Sequence, residues 1–254
     1  MTHKIRVLLA VLIGSACLIA VAVAWATVSY SIQVYFSPNK LGAPANISVK
    51  TKFAYTGSVP TPLNRVVAYG PAGLGVNVQG IGTCDKAKLE AEGPTGCPAD
   101  SSLGFGGGVG LVELAKEVIK DPFTLNFFLA PRENGHLAFL IYVNASSPVS
   151  LQLVLVAKEV QGPKPYGWGV TVEIPPIPTL PGASYASAEN VYFTFGGQHF
   201  AYYKKIGGKR KLIHVKGLIV PRTCPRGGFP FEAMLSFEDG TTSAEKYASP
   251  CPRK

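Results

Sequence analysis

Residues 97–110 read CPADSSLGFGGGVG, and five of the seven positions from Gly104 to Gly110 are glycine. Such a run belongs either to a loop that cradles phosphate or to a strand stripped of its side chains. A dinucleotide fingerprint places glycines at i, i+2 and i+5 ahead of a helix. Counted from Gly104 and Gly106, the third position is Val109. A triphosphate loop would end in Gly-Lys followed by Ser or Thr, and this stretch has no such ending. Gly104, Gly106, Gly108 and Gly110 instead repeat with period two, which on a strand removes four side chains from one face. Glycine weakens a strand, so the row implies a close approach. Bulky side chains of an opposing sheet are expected to make it, with Phe105 and Val109 turned the other way into a core.

The sequence on both sides agrees with a strand. Alternation recurs in VSYSIQVYF (28–36), NISVKTKFAY (46–55), HLAFLIYV (136–143), SLQLVLVA (150–157), GVTVEI (169–174), NVYFTF (190–195), KLIHVKGLIV (211–220) and FEAMLSF (231–237). These runs are rich in β-branched and aromatic residues and are divided by turn formers. With 28 glycines and 21 prolines there is little room for long helices. The one helix expected is TCDKAKLEAEG, started by Thr83 or Asp85 and ended by Gly93. LVELAKEVIK (111–120) has apolar residues at helical spacing but follows the glycine run, and is read as strand. PPIPTLPG (175–182) lacks the N–H donors of a central ladder and reads as an extended crossover between two sheets, with a possible subdivision near 175–183. The expected fold is all-β: a two-layer antiparallel β-sandwich over residues 27–254 with one short helix.

Ahead of that body, a basic start (MTHKIR) leads into twenty uncharged, mostly apolar residues from Val7 to Ala26. The run closes on Ala24-Trp25-Ala26, a signal-peptidase pattern with the cut before Thr27. It is also long enough to remain as a membrane anchor, with Lys4 and Arg6 holding its start on the cytoplasmic side. Cleavage is the expectation and a transmembrane anchor the alternative; both export residues 27–254. Cys17 sits inside the apolar run without the large apolar residue expected three places before a lipidated cysteine, and reads as filler. Loss of residues 1–26 leaves 22 Lys and Arg against 15 Asp and Glu, a net charge of +7.

The exported part keeps Cys84, Cys97, Cys224 and Cys251, an even count that reads as two disulfides with three possible pairings. Zinc would call for tight Cys-x-x-Cys pairs, which are missing. Cys84–Cys97 and Cys224–Cys251 are the expected bridges, because each brackets a short segment that needs pinning.

The order FSPNKLGAPANISV, NRVVAYGPAGLGVNVQGIGTC, CPADSSLGFGGG, and near the end RTCPRGGFPFEAMLSFEDGTTSAEKYASPC, resembles a family of secreted β-rich proteins common in actinobacteria and their relatives. The resemblance covers most of residues 30–254, the middle by pattern rather than motif. In that family the strand after the second cysteine carries Gly-x-Gly followed by small residues, which this chain extends to four alternating glycines. The resemblance implies an exported β-sandwich with these cysteine positions. The family has no established activity, so it assigns no catalytic residue.

Chemistry is sparsely signalled. His136, His199 and His214 each lie in an apparent strand, and no Gly-x-Ser-x-Gly elbow frames a nucleophile. The carboxylate pairs Glu90/Glu92 and Glu238/Asp239 read as solvated helix and turn residues. No metal site and no cofactor is expected. KKIGGKRK (204–211) gathers Lys204, Lys205, Lys209, Arg210 and Lys211 around a Gly-Gly turn. It reads as an exposed hairpin tip, and as the candidate contact with an anionic envelope polymer or lipid headgroups. PYGWG (165–169) offers Tyr166 and Trp168, and HFAYYKK adds Tyr202 and Tyr203, as rings for a glycan platform or for the core. Nucleic acid is not an expected partner of an exported chain. The sequons at Asn46 and Asn144 matter only in a eukaryotic secretory path. The expectation is a non-enzymatic envelope interaction or structural protein, with an envelope hydrolase assembled from scattered strand residues as the alternative.

Overall fold

The computed structural model describes residues 29–54, 59–114, 117–179, 182–197, 201–214 and 216–252. The apolar run from Val7 to Ala26, its cleavage site and His199 lie outside them. The strands are β1 (Ser29–Ser37), β2 (Pro44–Ala54), β3 (Leu63–Pro71), β4 (Gly75–Asn77), β5 (Ser102–Leu114), β6 (Glu117–Leu129), β7 (Ala138–Ala145), β8 (Leu151–Gln161), β9 (Tyr166–Glu173), β10 (Ser187–Phe195), β11 (Ala201–Ile206), β12 (Lys209–His214), β13 (Gly217–Ile219), β14 (Phe229–Phe237) and β15 (Thr242–Ser249). Thirteen of them form one sheet in the order β15-β14-β3-β9-β8-β7-β6-β5-β10-β2-β13-β4, with β1 also paired to β2; β11 and β12 form a separate hairpin. Every ladder among the described residues is antiparallel.

The two layers are made by folding this sheet over on itself. Apolar side chains of β1 and β2 (Val34, Phe36, Ile47) pack against Phe229 and Phe231 of β14, at the other end of the strand order. The Phe36 ring lies 5.3 Å from that of Phe229 and 5.8 Å from that of Phe231. Further along, Phe53 of β2 meets Leu235 and Phe237, and the Tyr30 hydroxyl donates to the Ala233 carbonyl at 2.6 Å. The end strands β1 and β15 are joined by side chains: Tyr35 and Tyr247 set their rings edge to face at 6.3 Å, and Asn39 Nδ2 donates to the Pro250 carbonyl at 3.0 Å.

The glycine row occupies β5, as expected, but what approaches it differs from the expectation. A Cβ on Gly104, Gly106 or Gly108 would meet the carbonyl oxygens of Thr194, Tyr192 and Asn190 on the neighbouring β10. Phe193 Cβ would be 2.6 Å from a Cβ at Gly106, and Phe123 Cζ 2.5 Å from one at Gly108. The crowding therefore comes from the flanking strands, not from an opposing sheet. Phe105 is turned away from this inner face and is 51% exposed, so it lies in solvent rather than in a core.

Several other expectations hold, and one is corrected. Leu111–Leu114 ends β5 and Glu117–Lys120 begins β6, so the described part of LVELAKEVIK is strand; residues 115–116 lie outside the described residues. The one α-helix among the described residues, α1 (Lys86–Glu92), is capped by the Asp85 carboxylate, which accepts from Ala87 and Lys88 N–H, and it stops at Gly93 with φ 66°. Leu89 and the Cys84–Cys97 disulfide fasten it over the outer face of β7 and β8, against Leu140, Tyr142 and Val154. Cys224–Cys251 links the entry to β14 with the exit from β15. The proline-rich segment after β9 carries the chain to β10, past four strands, and so connects distant parts of one folded sheet rather than two separate sheets.

Gly106→Val is expected to destabilise the protein by about 3 kcal/mol or more, because a carbonyl and a Cα of β10 occupy the new side chain's space. Phe105→Ser on the outer face is expected to change stability by less than about 1 kcal/mol. Urea unfolding followed by circular dichroism checks both.

Candidate functional site

Inward side chains alternate along each strand, so a sheet folded over on itself encloses an apolar space. Here the layers do not fill it. They leave between them a half-open cavity of about 430 Å³. Ile32, Val49, Ile141, Leu153, Leu155 and Val191 all line it, and each is only half-buried although its strand turns it inward. Among the described residues no Lys, Arg or His contributes to the wall.

A few polar groups do. The Tyr30 hydroxyl is held by the Ala233 carbonyl, and burial pushes its pKa up to about 12, with the charge of Glu245 adding to the effect. Thr51 Oγ1 donates to the Val191 carbonyl at 3.0 Å and lies 3.2 Å from the Val191 N–H. Trp168 Nε1 donates to the Leu74 carbonyl at 2.9 Å. Glu232 has Lys246 Nζ at 3.7 Å and the Tyr166 hydroxyl as hydrogen-bond partner.

Asp121 is different. It is 5% exposed and shares the inward face of β6 with Phe123, Leu125 and Phe127. Its Oδ1 is buried without a hydrogen-bond partner. Burial raises its pKa, offset in part by the hydrogen bond from the Val149 backbone N–H. An unpaired carboxyl oxygen in an apolar wall costs free energy, and it marks the cavity chemically. The sequence reading missed Asp121 because it sits at the end of an ambiguous run, just before Pro122. The period-two series Asp121, Phe123, Leu125, Phe127 was the signal that would have placed it on the apolar face.

The residues singled out from sequence fall in three places. Lys204, Lys205, Lys209, Arg210 and Lys211 all lie on the β11–β12 hairpin, exposed, around the turn Gly207-Gly208 with φ 58° and 79°. Lys204 pairs with Lys211 and Lys205 with Arg210 across the ladder, and none of the five forms an ion pair among the described residues. The hairpin also exposes apolar groups: Tyr203 is 59%, Leu212 47% and Ile206 43% exposed. The Arg210 guanidinium lies 4.2 Å from the Tyr203 ring centre. The hairpin is rooted by the Tyr202 hydroxyl, which donates to the Gly80 carbonyl.

Tyr166 and Trp168 do not form one open platform. Trp168 lines the cavity and packs against the Val34–Phe231 cluster. Tyr166 stacks on Tyr69 at 5.9 Å, and burial and the neighbouring Glu232 raise its pKa. The described histidines lie apart from the cavity. His136 Nδ1 is 3.9 Å from Glu159 Oε2 on the surface, and His214 borders a hollow of about 140 Å³ beside Tyr202 and Lys216. Among the described residues neither hydrogen-bonds a serine, and no group of three or more His, Cys, Asp or Glu is placed to hold a metal ion. No helix among them is long and apolar enough to cross a membrane. Compared with known proteins, the chain matches no family model, no curated sequence and no solved structure.

Asp121 makes stability depend on pH in a direction opposite to that of a salt-bridged carboxylate. Its pKa is raised in the folded state. The fold therefore binds its proton more tightly, and this contribution to stability is fully present below the unfolded value of about 3.9 and is lost as pH rises through the folded value. Asp121→Asn keeps an acceptor for Val149 and removes the charge. It is expected to be more stable than the native protein by about 1 kcal/mol or more at pH 7, the gain shrinking toward pH 4. Urea midpoints at the two pH values check the sign.

Proposed function

We propose that this is a non-enzymatic binding protein of the cell envelope. It holds an apolar molecule between its layers and meets an anionic surface with the β11–β12 hairpin. The cavity carries the reading. A space of about 430 Å³ is far larger than the gaps a well-packed core leaves, and unfilled space in a core costs stability. A purely structural sandwich gains nothing from such a space, whereas ligand pockets commonly span about 300–1,000 Å³.

The envelope part of the reading is supported by the apolar N-terminal run, the resemblance to secreted proteins, and two disulfides, which suit an oxidising compartment. The hairpin supplies a specific second observation. Unpaired cations interleaved with exposed Tyr203, Ile206 and Leu212 suit anionic lipid headgroups over a fully solvated polymer, because the apolar side chains gain from partial insertion. The alternative of an envelope hydrolase finds no support in the surroundings of His136 or His214.

Nile red, a neutral apolar dye, is expected to bind with a blue-shifted emission and a micromolar Kd. Val191→Trp, which fills the cavity, is expected to abolish that signal while leaving the β-sheet circular dichroism intact. Dye binding that persists in Val191→Trp would place the dye elsewhere and defeat the cavity reading.

The protein is expected to sediment with anionic but not zwitterionic vesicles at low salt, and to be released at moderate salt. Changing Lys204, Lys205, Lys209, Arg210 and Lys211 to Gln is expected to abolish sedimentation. Sedimentation with purified wall polymer but not with vesicles would move the partner from lipid to polyanion or glycan.

A further inference from the structure

The ligand's own chemistry is written into the cavity wall. Resting on the reading above, we infer that the cavity selects an apolar chain bearing a hydrogen-bond-donating, non-anionic head, an alcohol or an amine, and seats that head on Asp121.

Three observations converge. The first is the orphaned oxygen: Asp121 is 5% exposed, lies on the inward face and leaves Oδ1 without a partner. The other polar groups named on the wall are already engaged, Tyr30 by Ala233, Thr51 by Val191, Trp168 by Leu74 and Glu232 by Tyr166 and Lys246. Among the described residues, Asp121 Oδ1 is the buried side-chain polar atom left without a hydrogen-bond partner. An O–H or N–H delivered by a ligand would satisfy it once the buried carboxyl turned to meet the cavity.

The second is sign. Among the described residues no cation lines the cavity, while Asp121 and Glu232 do. A fatty-acid carboxylate or a phosphate would enter an apolar space with no counter-charge and with an acidic group facing it, which is costly. An alcohol pays no such cost, and an amine gains a charge partner.

The third is room. Gly104, Gly106 and Gly108 have their Cβ positions blocked by the β10 backbone, but Gly110 does not: its nearest obstacles are the carbonyl oxygens of Asp121 at 3.3 Å and Ser187 at 3.7 Å. Gly110 is also a cavity residue, paired with Asp121 across the β5–β6 ladder. The site beside the carboxyl is thus less crowded than at the other three glycines, though the Asp121 carbonyl at 3.3 Å still makes it a tight one. The row of glycines therefore has two uses, crowding relief at its start and a head-group recess at its end.

The test is displacement of bound Nile red by dodecanol, dodecylamine and dodecanoate, three heads on one chain, in the native protein, Asp121→Asn and Asp121→Leu. The native protein is expected to bind dodecanol and dodecylamine about tenfold or more tightly than dodecanoate, the range for a hydrogen bond to a charged group. Asp121→Asn is expected to lose the amine preference and keep the alcohol. Asp121→Leu is expected to remove both preferences while still binding the chain. Equal displacement by all three in the native protein, unchanged in the two variants, overturns the head-group inference and leaves the cavity reading standing. Nile red binding with no displacement by any chain overturns the inference as well. Failure of Nile red itself to bind the folded native protein overturns both.

Discussion

Phe127 and Phe193 lie on strands that are not neighbours, yet their ring centres are 5.1 Å apart. Strand β5 runs between them, and adjacent strands are spaced about 4.8 Å, so β6 and β10 stand about 9.6 Å apart. The rings can meet only because the strand between them is bare on its inner face. Gly104, Gly106 and Gly108 provide that bareness, and the β10 carbonyl oxygens crowd into the space their side chains would have taken. Strands that crowd on one face of a sheet bend it toward that face, as glycine kinks do at barrel corners. The folding-over of the sheet, the meeting of β1 with β15 and the enclosed interior all follow from this bend.

A sheet bent by glycine and roofed by rings two strands apart does not pack like a sandwich with interlocking faces. The densely packed parts lie at the margins. One is where Phe36 meets Phe229 and Phe231; another is outside β7 and β8, where α1 is held down. Between them Ile141, Leu153, Leu155 and Val191 pack sideways with Leu125 and Phe127 within their own layer, while half-buried toward the cavity that separates them from β1 and β2. The disulfides sit at the margins as well, Cys84–Cys97 under α1 and Cys224–Cys251 across the base of the β14–β15 hairpin. Covalent links of this kind contribute about 3 kcal/mol each through the unfolded chain. That contribution is useful where the core is left incomplete.

Local rules made part of this legible from residues alone. Period-two glycines, the Asp85 cap, Gly93, the Gly207-Gly208 turn and the cysteine pairs each depend on neighbours within a few residues or one short loop. Whether Phe105 faces solvent or core depends on which way the sheet bends, and no local pattern carries that. Trp168 raised the same difficulty. Its sequence neighbours are glycines, but its ring is fixed by Leu74 and by the cluster from β1, β2 and β14, all distant in the chain. Asp121 was legible in principle, through its parity with Phe123, Leu125 and Phe127. The adjoining charged residues Glu117 and Lys120 masked the parity, and a carboxylate is not ordinarily read as an inward residue.

On the proposed reading the two ends of the function differ in strength for physical reasons. Each Lys or Arg near an anionic surface contributes about 1 kcal/mol, falling off within a Debye length. The five cations of the hairpin together therefore give a contact that ordinary changes in ionic strength dissolve. The cavity works by apolar contact and one hydrogen bond in a region that salt does not screen. A protein built this way would release its surface before it released its contents. That ordering is what a carrier needs, and a purely adhesive protein would have no reason to keep an unpaired carboxyl in its interior.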